Sequence, residues 1–405
     1  MHGARWIPAM LLITAFQLIS FAQVIFTDEG INMTVAIVFG IFLLLEWVYS
    51  IASTLILRRS SPALEYIAFF LTGINLAITA SASERALLVQ FIAMMAGFVV
   101  FIALLWMIAN VDRAEKFRMP MGVFAIAFLI FGLIFARNTN GAYNWVEIGG
   151  FSFQASEIVK IMFIFVGAAT LEKIQNSRNI WQYVGFSVAC VGLLFLMRDL
   201  GTALIFFFTF VVLAFMRSGD VRTILFVILA VGMGAVLLVL VKKDYVMSRF
   251  DTYRHVWETP YDAGMQQTRA MVYSVSGGML GMGIGKGKLR SVFAALEDLV
   301  FGVVCEEWGM IIGLIVGLCY IVIFVHSIRN AKGSRSAFYS IASCAAGSLL
   351  LFQAALNIFG VTDFLPLTGV TLPFVSRGGS STISCFGLLA FIKAADNRTW
   401  AGGKS

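Results

Sequence analysis

Residues 32–56 form an almost unbroken run of aliphatic and aromatic side chains, and runs of this kind recur along the whole chain. Spanning a hydrocarbon core of roughly 30 Å takes about 20 apolar residues in a helix. Inside lipid only helices and closed barrels satisfy every backbone polar group. The Phe, Leu and Ile runs here are too long for barrel strands and lack their alternation. With 60% hydrophobic and 13% charged residues, a soluble globule is excluded. The fold class expected is an all-α polytopic membrane protein.

The runs predict about twelve helices, over 6–27, 32–56, 63–82, 86–110, 119–137, 155–171, 180–197, 200–216, 222–241, 300–326, 337–360 and 379–395. Residues 5–27 begin with a basic residue, and Ser20-Phe21-Ala22 resembles a signal-peptide cleavage site, but the length suits a retained helix. Alternate connections are basic: Arg58 and Arg59; Arg113, Lys116 and Arg118; Lys173 and Arg178; Arg217 and Arg222; Arg329, Lys332 and Arg335; Lys393, Arg398 and Lys404. Positive charge favours the inside, so both termini are expected on the cytoplasmic side of the membrane.

Against that bias, eight of the twenty-nine basic residues crowd one outer segment, about 242–298: Lys242, Lys243, Arg249, Arg254, Arg269, Lys286, Lys288 and Arg290. Attraction of an anionic substrate explains such a concentration, and a solvated loop with self-compensating charge is the plainer alternative. The five cysteines lie in apolar runs without a C-x-x-C pair, and the only histidines are His2, His255 and His326. Neither set suggests a disulfide or a zinc site.

Two acidic pairs stand where the outer segment gives way to the next apolar run. Glu297 and Asp298 lie at the boundary, and Glu306 and Glu307 lie inside the run. Ionisable groups at such depth usually have a function. Asp298 alone would read more readily as a helix cap, and it is the four acids within eleven residues that favour a functional role. For Glu306 a buried partner to an outer Arg competes with a role on substrate.

Between Gly277 and Gly287 six of eleven residues are glycine, but the spacing matches no nucleotide-binding loop. The density predicts a re-entrant or surface-lying element around 264–287, because irregular backbone is tolerated at membrane depth only where protein or a watery cavity covers it. Outer stretches of similar character are 140–160, where Glu157 and Lys160 stand three apart on a helix, and 365–381. Lys160 reads either as a partner of Glu157 or as a substrate contact. Trp145 reads as an interfacial anchor or a substrate contact.

Seven blocks in order resemble the SEDS family (shape, elongation, division and sporulation; the RodA/FtsW group). They are Ser81-Ala82-Ser83 with Gln90, Asn140 to Lys160, Asp199 to Ala203, Gly277 to Gly285, Asp298 with Glu306 to Gly309, Gln353 with Asn357, and Pro366 to Ser381. The resemblance spans about residues 64–395. It implies a ten-helix glycosyltransferase core over 61–395, a tail over 396–405, and an additional transmembrane hairpin within 1–60. It implies polymerisation of peptidoglycan strands from lipid II, the undecaprenyl-diphosphate-linked disaccharide-pentapeptide, with a class B penicillin-binding protein as transpeptidase partner. The chain departs from the pattern at Asn144, Ala155, Met197-Arg198, Phe293-Ala294, Glu297 and Arg377.

Joining a sugar hydroxyl to an anomeric carbon that carries a lipid diphosphate needs a base for the hydroxyl and cations for the leaving group. Asp298 is the base candidate. Where the donor bond is α and the product β, as the resemblance implies, one carboxylate and a single displacement suffice. Lys160, Arg198 and Arg249 are candidates for the diphosphate. Trp145, Glu306, Ser376, Arg377 and Ser380 complete the expected substrate-binding set. A divalent cation, Mg or Mn, near Glu297 or Glu306 would share this work. The alternatives are a lipid II flippase, although no inverted repeat is visible, and a non-catalytic scaffold of a cell-wall complex.

Overall fold

The computed structural model describes residues 7–27, 30–56, 62–139, 142–148, 151–172, 177–218 and 252–403. The helix expected over 222–241, and with it Lys242, Lys243 and Arg249, lies outside the described residues.

The described chain is mostly helical. It begins with α1 (Ile7–Ile25) and α2 (Met33–Ile56), joined by the two-residue strands β1 (Phe26–Thr27) and β2 (Gly30–Ile31). There follow α3 (Ala63–Ala82), α4 (Glu84–Ile108), α5 (Val111–Phe135), α6 (Ala155–Glu172), α7 (Ser177–Leu196) and α8 (Leu200–Ser218). After residue 251 come α9 (Met265–Ser276), α10 (Val300–Trp308), α11 (Met310–Lys332), α12 (Ala337–Val361) and α13 (Gly379–Ala395). Eight of these, α1 to α5, α8, α11 and α12, are long and apolar enough to cross a membrane. The protein is therefore a multi-pass membrane protein.

Burial sorts the helices. Nearly every side chain of α6 and α13 is buried, and most of those of α3 and α12. A helix buried on all sides belongs at the centre of a bundle. By contrast α4, α5 and α11 each bury one stripe and present Leu, Ile and Phe outward, as Ile92, Val99, Val123, Ile134 and Leu314 show. The centre is not wholly apolar. Glu65 of α3 meets Lys393 of α13 at 2.7 Å, each only 2% exposed, and Glu157 meets Lys160 at 2.8 Å within α6. Such charges persist in a low-dielectric interior because each has its counter-charge.

Local chemistry moves three boundaries away from the sequence expectation. Helix α5 starts at Val111 rather than 119, because Asn110 takes an extended conformation and its side-chain oxygen accepts the Asp112 amide at 2.8 Å. Residues 137–154, expected as a loop, form an antiparallel ribbon of β3 (Arg137–Thr139), β4 (Ala142–Ile148) and β5 (Phe151–Gln154). The single helix expected over 300–326 is two. It breaks at Gly309, whose φ of +88 ends α10, and α11 starts anew at Met310.

The glycine-rich segment explains the break. Its backbone packs on the end of α10: Met282 and Gly283 donate their amides to the Glu306 and Glu307 carbonyls at 2.9 and 3.1 Å, and Met310 donates to the Gly278 carbonyl at 3.0 Å. Terminal helix carbonyls that would otherwise stay unpaired are satisfied in this way. Contact is so close that a Cβ at Gly281 would collide with the Glu307 backbone, and one at Gly309 with the Met279 carbonyl. Helix α9, with twelve residues, extends about 18 Å and is too short to cross a bilayer.

Candidate active site

Asp298 stands at the hinge between the outer segment and α10. A turn leads into it, with its amide bonded to the Ala294 carbonyl at 2.9 Å, and Ala294 itself has a φ of +56. Leu299 occupies the cap position of α10, so Asp298 precedes the cap. Both Glu297 and Asp298 are half-buried.

The opposite wall is the loop between α12 and α13. Gly369, with a φ of +70, passes so near that a Cβ there would stand 3.4 Å from Asp298 Oδ2. Asn357 of α12 holds the two walls together, donating to the Asp298 carbonyl and to the Val370 carbonyl, both at 2.8 Å. A second seam joins the same walls one residue on. Arg377 Nε donates to Glu297 Oε1 at 2.8 Å, and Nη2 adds a bond to the same oxygen. The Arg377 amide donates to the Leu296 carbonyl at 2.8 Å, and the Ser376 hydroxyl donates to the Glu297 carbonyl. From α3, Asn75 donates to the Val375 and Ser376 carbonyls at 2.9 and 2.6 Å. The irregular backbone of 369–377 is thus paired by side chains of surrounding helices, as buried backbone must be.

Beneath lies a polar floor. Gln353 of α12 donates to the Thr371 carbonyl and hydroxyl at 2.9 and 3.0 Å and accepts from Lys160 Nζ at 2.9 Å. Lys160 is 1% exposed and also donates to Glu157 at 2.8 Å. Ser381 bonds Thr371 at 2.7 Å, and Ser380 accepts the Gln154 amide at 3.2 Å.

The candidate residues therefore fall into separate places. Asp298, Ser376 and Arg377 come together at the rim. Lys160 lies below them in the buried Glu157 and Gln353 network, the ion-pair reading of that residue. Ser380 fastens β5 to α13. Glu306, fully buried, pairs with no arginine among the described residues: its oxygens accept the Lys288 and Leu289 amides at 2.6 and 2.9 Å. Glu306 and Glu297, offered above for a divalent cation, thus spend carboxylate oxygens on those amides and on Arg377. Among the described residues no cluster of three or more His, Cys, Asp or Glu is placed to hold a metal.

Arg198 is exposed, with a φ of +59, and its guanidinium stands 5.9 Å over the Tyr143 ring. The neighbouring Asp199 caps α8 by accepting the Thr202 amide at 3.1 Å, and it accepts from Asn144 at 3.2 Å. Trp145 is half-buried in β4, in register with Gln154. The site residue that sequence reasoning left out is Asn75; Gln353, Asn357 and Gly369 it noted only as part of a motif. For the three carboxamides the signal was a polar side chain on a helix face otherwise small or apolar.

Residues 63–399 match the family model of the FtsW, RodA and SpoVE cell cycle proteins, and the chain belongs to that family. The probable peptidoglycan glycosyltransferase FtsW of Wigglesworthia glossinidia brevipalpis is 29% identical over 296 residues, covering 71% of this chain and 77% of its own. Stage V sporulation protein E of Bacillus subtilis (strain 168) is 30% identical over 251 residues, 60% of this chain and 68% of its own. Among solved structures, a peptidoglycan synthase complex studied for the coordination of polymerization and crosslinking matches with TM-score 0.69 and 22% identity, over 85% of this chain and 99% of its own. The rod shape determining protein RodA of Thermus thermophilus matches with TM-score 0.61 and 24% identity, over 85% and 98%.

Proposed function

We propose that the chain is a peptidoglycan glycosyltransferase that polymerises glycan strands from lipid II on the outer face of the plasma membrane, with Asp298 as general base. The observation that carries this reading is the placement of Asp298 at a half-buried rim between two walls fixed by Asn357, Arg377 and Ser376. In the step proposed, the acceptor sugar oxygen forms a bond to the anomeric carbon of the donor and its proton passes to the Asp298 carboxylate. The bond from that carbon to the diphosphate breaks, and undecaprenyl diphosphate leaves with the electron pair. Inversion follows from the single displacement. Exposed Lys286 and Lys288, and Arg198 across the β-ribbon, supply positive charge for the leaving diphosphate; Arg249 belongs to the same outer segment.

Lys160 and Glu306 serve this reaction by supporting the site backbone. Trp145, Ser376, Arg377 and Ser380 shape the rim and its approach. A penicillin-binding protein of class B is the partner proposed, in keeping with the synthase complex among the structural matches. Both termini are assigned to the cytoplasm on the distribution of Lys and Arg. The family match and the named relatives favour this reading over a flippase.

The test is glycan polymerisation from purified lipid II, with and without a co-expressed transpeptidase, by wild type and by Asp298→Ala. Polymer from wild type and none from an equally folded variant is the result expected. No polymer from wild type in either condition overturns the reading in favour of the scaffold.

A further inference from the structure

The α1–α2 hairpin precedes the family match, which starts at residue 63, yet it is fastened into the molecule by polar bonds at three levels. Deep in the pair, Gln17 donates to Glu46 at 2.9 Å and to the Phe69 carbonyl of α3 at 3.3 Å, with Gln17 and Glu46 both fully buried. Towards one end, the Tyr49 hydroxyl donates at 2.7 Å to Glu65, the residue paired with Lys393. At the other end the hairpin reaches the glycine-rich segment. Gln23 accepts the Ile284 amide at 3.0 Å through its side-chain oxygen, and Ser20 accepts Trp308 Nε1 at 3.1 Å. Polar groups in lipid-facing helices are costly unless paired, so three levels of pairing mark a docked element and not a loose anchor.

The upper contacts fall on a connected path to Asp298. Ile284 lies in the glycine segment that wraps the end of α10, and Trp308 is the last residue of α10. Three residues beyond Gly285, the chain gives its Lys288 amide, and then that of Leu289, to Glu306 before running on to Asp298. The same segment is gripped from a second side: Arg290 donates to the Gly285 carbonyl at 2.9 Å and to the Ser81 carbonyl at the end of α3. Helices α1 and α3 are themselves packed together, with the Phe16 and Phe70 rings 5.0 Å apart. The two grips therefore act as one clamp, with Gln23 on one jaw and Arg290 held against the other.

We propose that the N-terminal hairpin is a built-in positioning element for the catalytic segment, acting through Gln23 on the Ile284 amide and through Ser20 on Trp308. Gln23 is a positioning residue and touches no substrate; its effect on the reaction rests on the glycosyltransferase reading given above. Losing one such bond opens the local segment about fivefold more often, and losing both compounds the effect.

The test uses the full chain and two readouts. Hydrogen exchange of the peptide covering 278–290 is compared for wild type, Gln23→Leu, Gln23→Glu and the Gln23→Leu/Ser20→Ala double variant, and glycan output is measured on the same preparations. Gln23→Glu keeps an accepting oxygen. Expected are exchange raised about fivefold in Gln23→Leu and further in the double variant, a fall in kcat larger than any rise in KM, and near-wild-type behaviour of Gln23→Glu. Unchanged exchange in Gln23→Leu and the double variant overturns the proposal. So does raised exchange with undiminished output, or an equal loss in Gln23→Glu. A wild type that makes no glycan counts against the glycosyltransferase reading, and the exchange comparison then decides the clamp alone.

Discussion

The rim of the site and the floor beneath it use the same kinds of side chain for opposite ends. At the rim, Glu297 and Asp298 are half-buried, and the backbone around them is held by Asn357, Ser376 and Arg377. In the floor and flank, Glu157 and Glu306 are 4% and 0% exposed, one paired with Lys160 and the other hydrogen-bonded by two amides. A carboxylate with several fixed donors is a structural part, because moving it strands buried groups. Asp298 instead stands half-buried at a boundary, beside the Gly369 backbone. Asp298 and Glu306, eight positions apart, are therefore divided by burial and by what the surrounding backbone offers them.

The sharpest way to break this division is at Asp298. Asp298→Asn should lower polymerisation by about two to four orders of magnitude, the usual worth of a general base, with the melting temperature in detergent unchanged. A variant with substantial activity would move the base elsewhere. Next comes Lys160→Met, which strands Glu157 in the interior and should cost about 3–5 kcal/mol of stability. A variant that melts like wild type but makes no glycan would transfer Lys160 to the rim class and restore its role on the diphosphate.

Glu306→Ala removes the acceptor of the Lys288 and Leu289 amides and should cost about 2–3 kcal/mol, with exchange rising first in 286–292. Full stability with lost activity would place Glu306 in the chemistry after all. The smallest effect is expected at the Glu297–Arg377 pair. A double-mutant cycle with Glu297→Gln and Arg377→Gln should give a coupling of about 1 kcal/mol, since Arg377 is 38% and Glu297 21% exposed. Zero coupling would mean that the backbone bonds of 376–377 alone close the rim.

Most helices were legible because lipid imposes a length and a hydropathy that nothing else in a chain mimics. The break at Gly309 was hidden for the same reason: inside a long apolar run a lone glycine reads as tolerated, and only the wrapping of the glycine segment reveals why it ends a helix. The β-ribbon within 137–154 was missed because its strands are short and pair through backbone groups that side-chain periodicity does not report. Helix α5 could have been started at its true boundary from Asn110 alone. At the site, Asp298 was legible from charge placed against an apolar run, and the alternative of a Glu157 partner for Lys160 was equally open to a reader. Asn75, Asn357 and Gly369 were not legible as a group, because they come together only when α3, α12 and the 365–378 loop meet.

The glycine segment folded onto the end of α10 also sets how this gene can drift. Almost any single-base change in the first two positions of a glycine codon adds a Cβ, and at Gly281 or Gly309 that atom lands on the Glu307 backbone or the Met279 carbonyl. An inserted or deleted residue between them would shift the amides of Met282 and Gly283 off the carbonyls they serve. Substitutions on the lipid-facing surfaces of α4, α5 and α11 meet no such constraint, while the glycines of this wrap leave little space for change in side chain or in length.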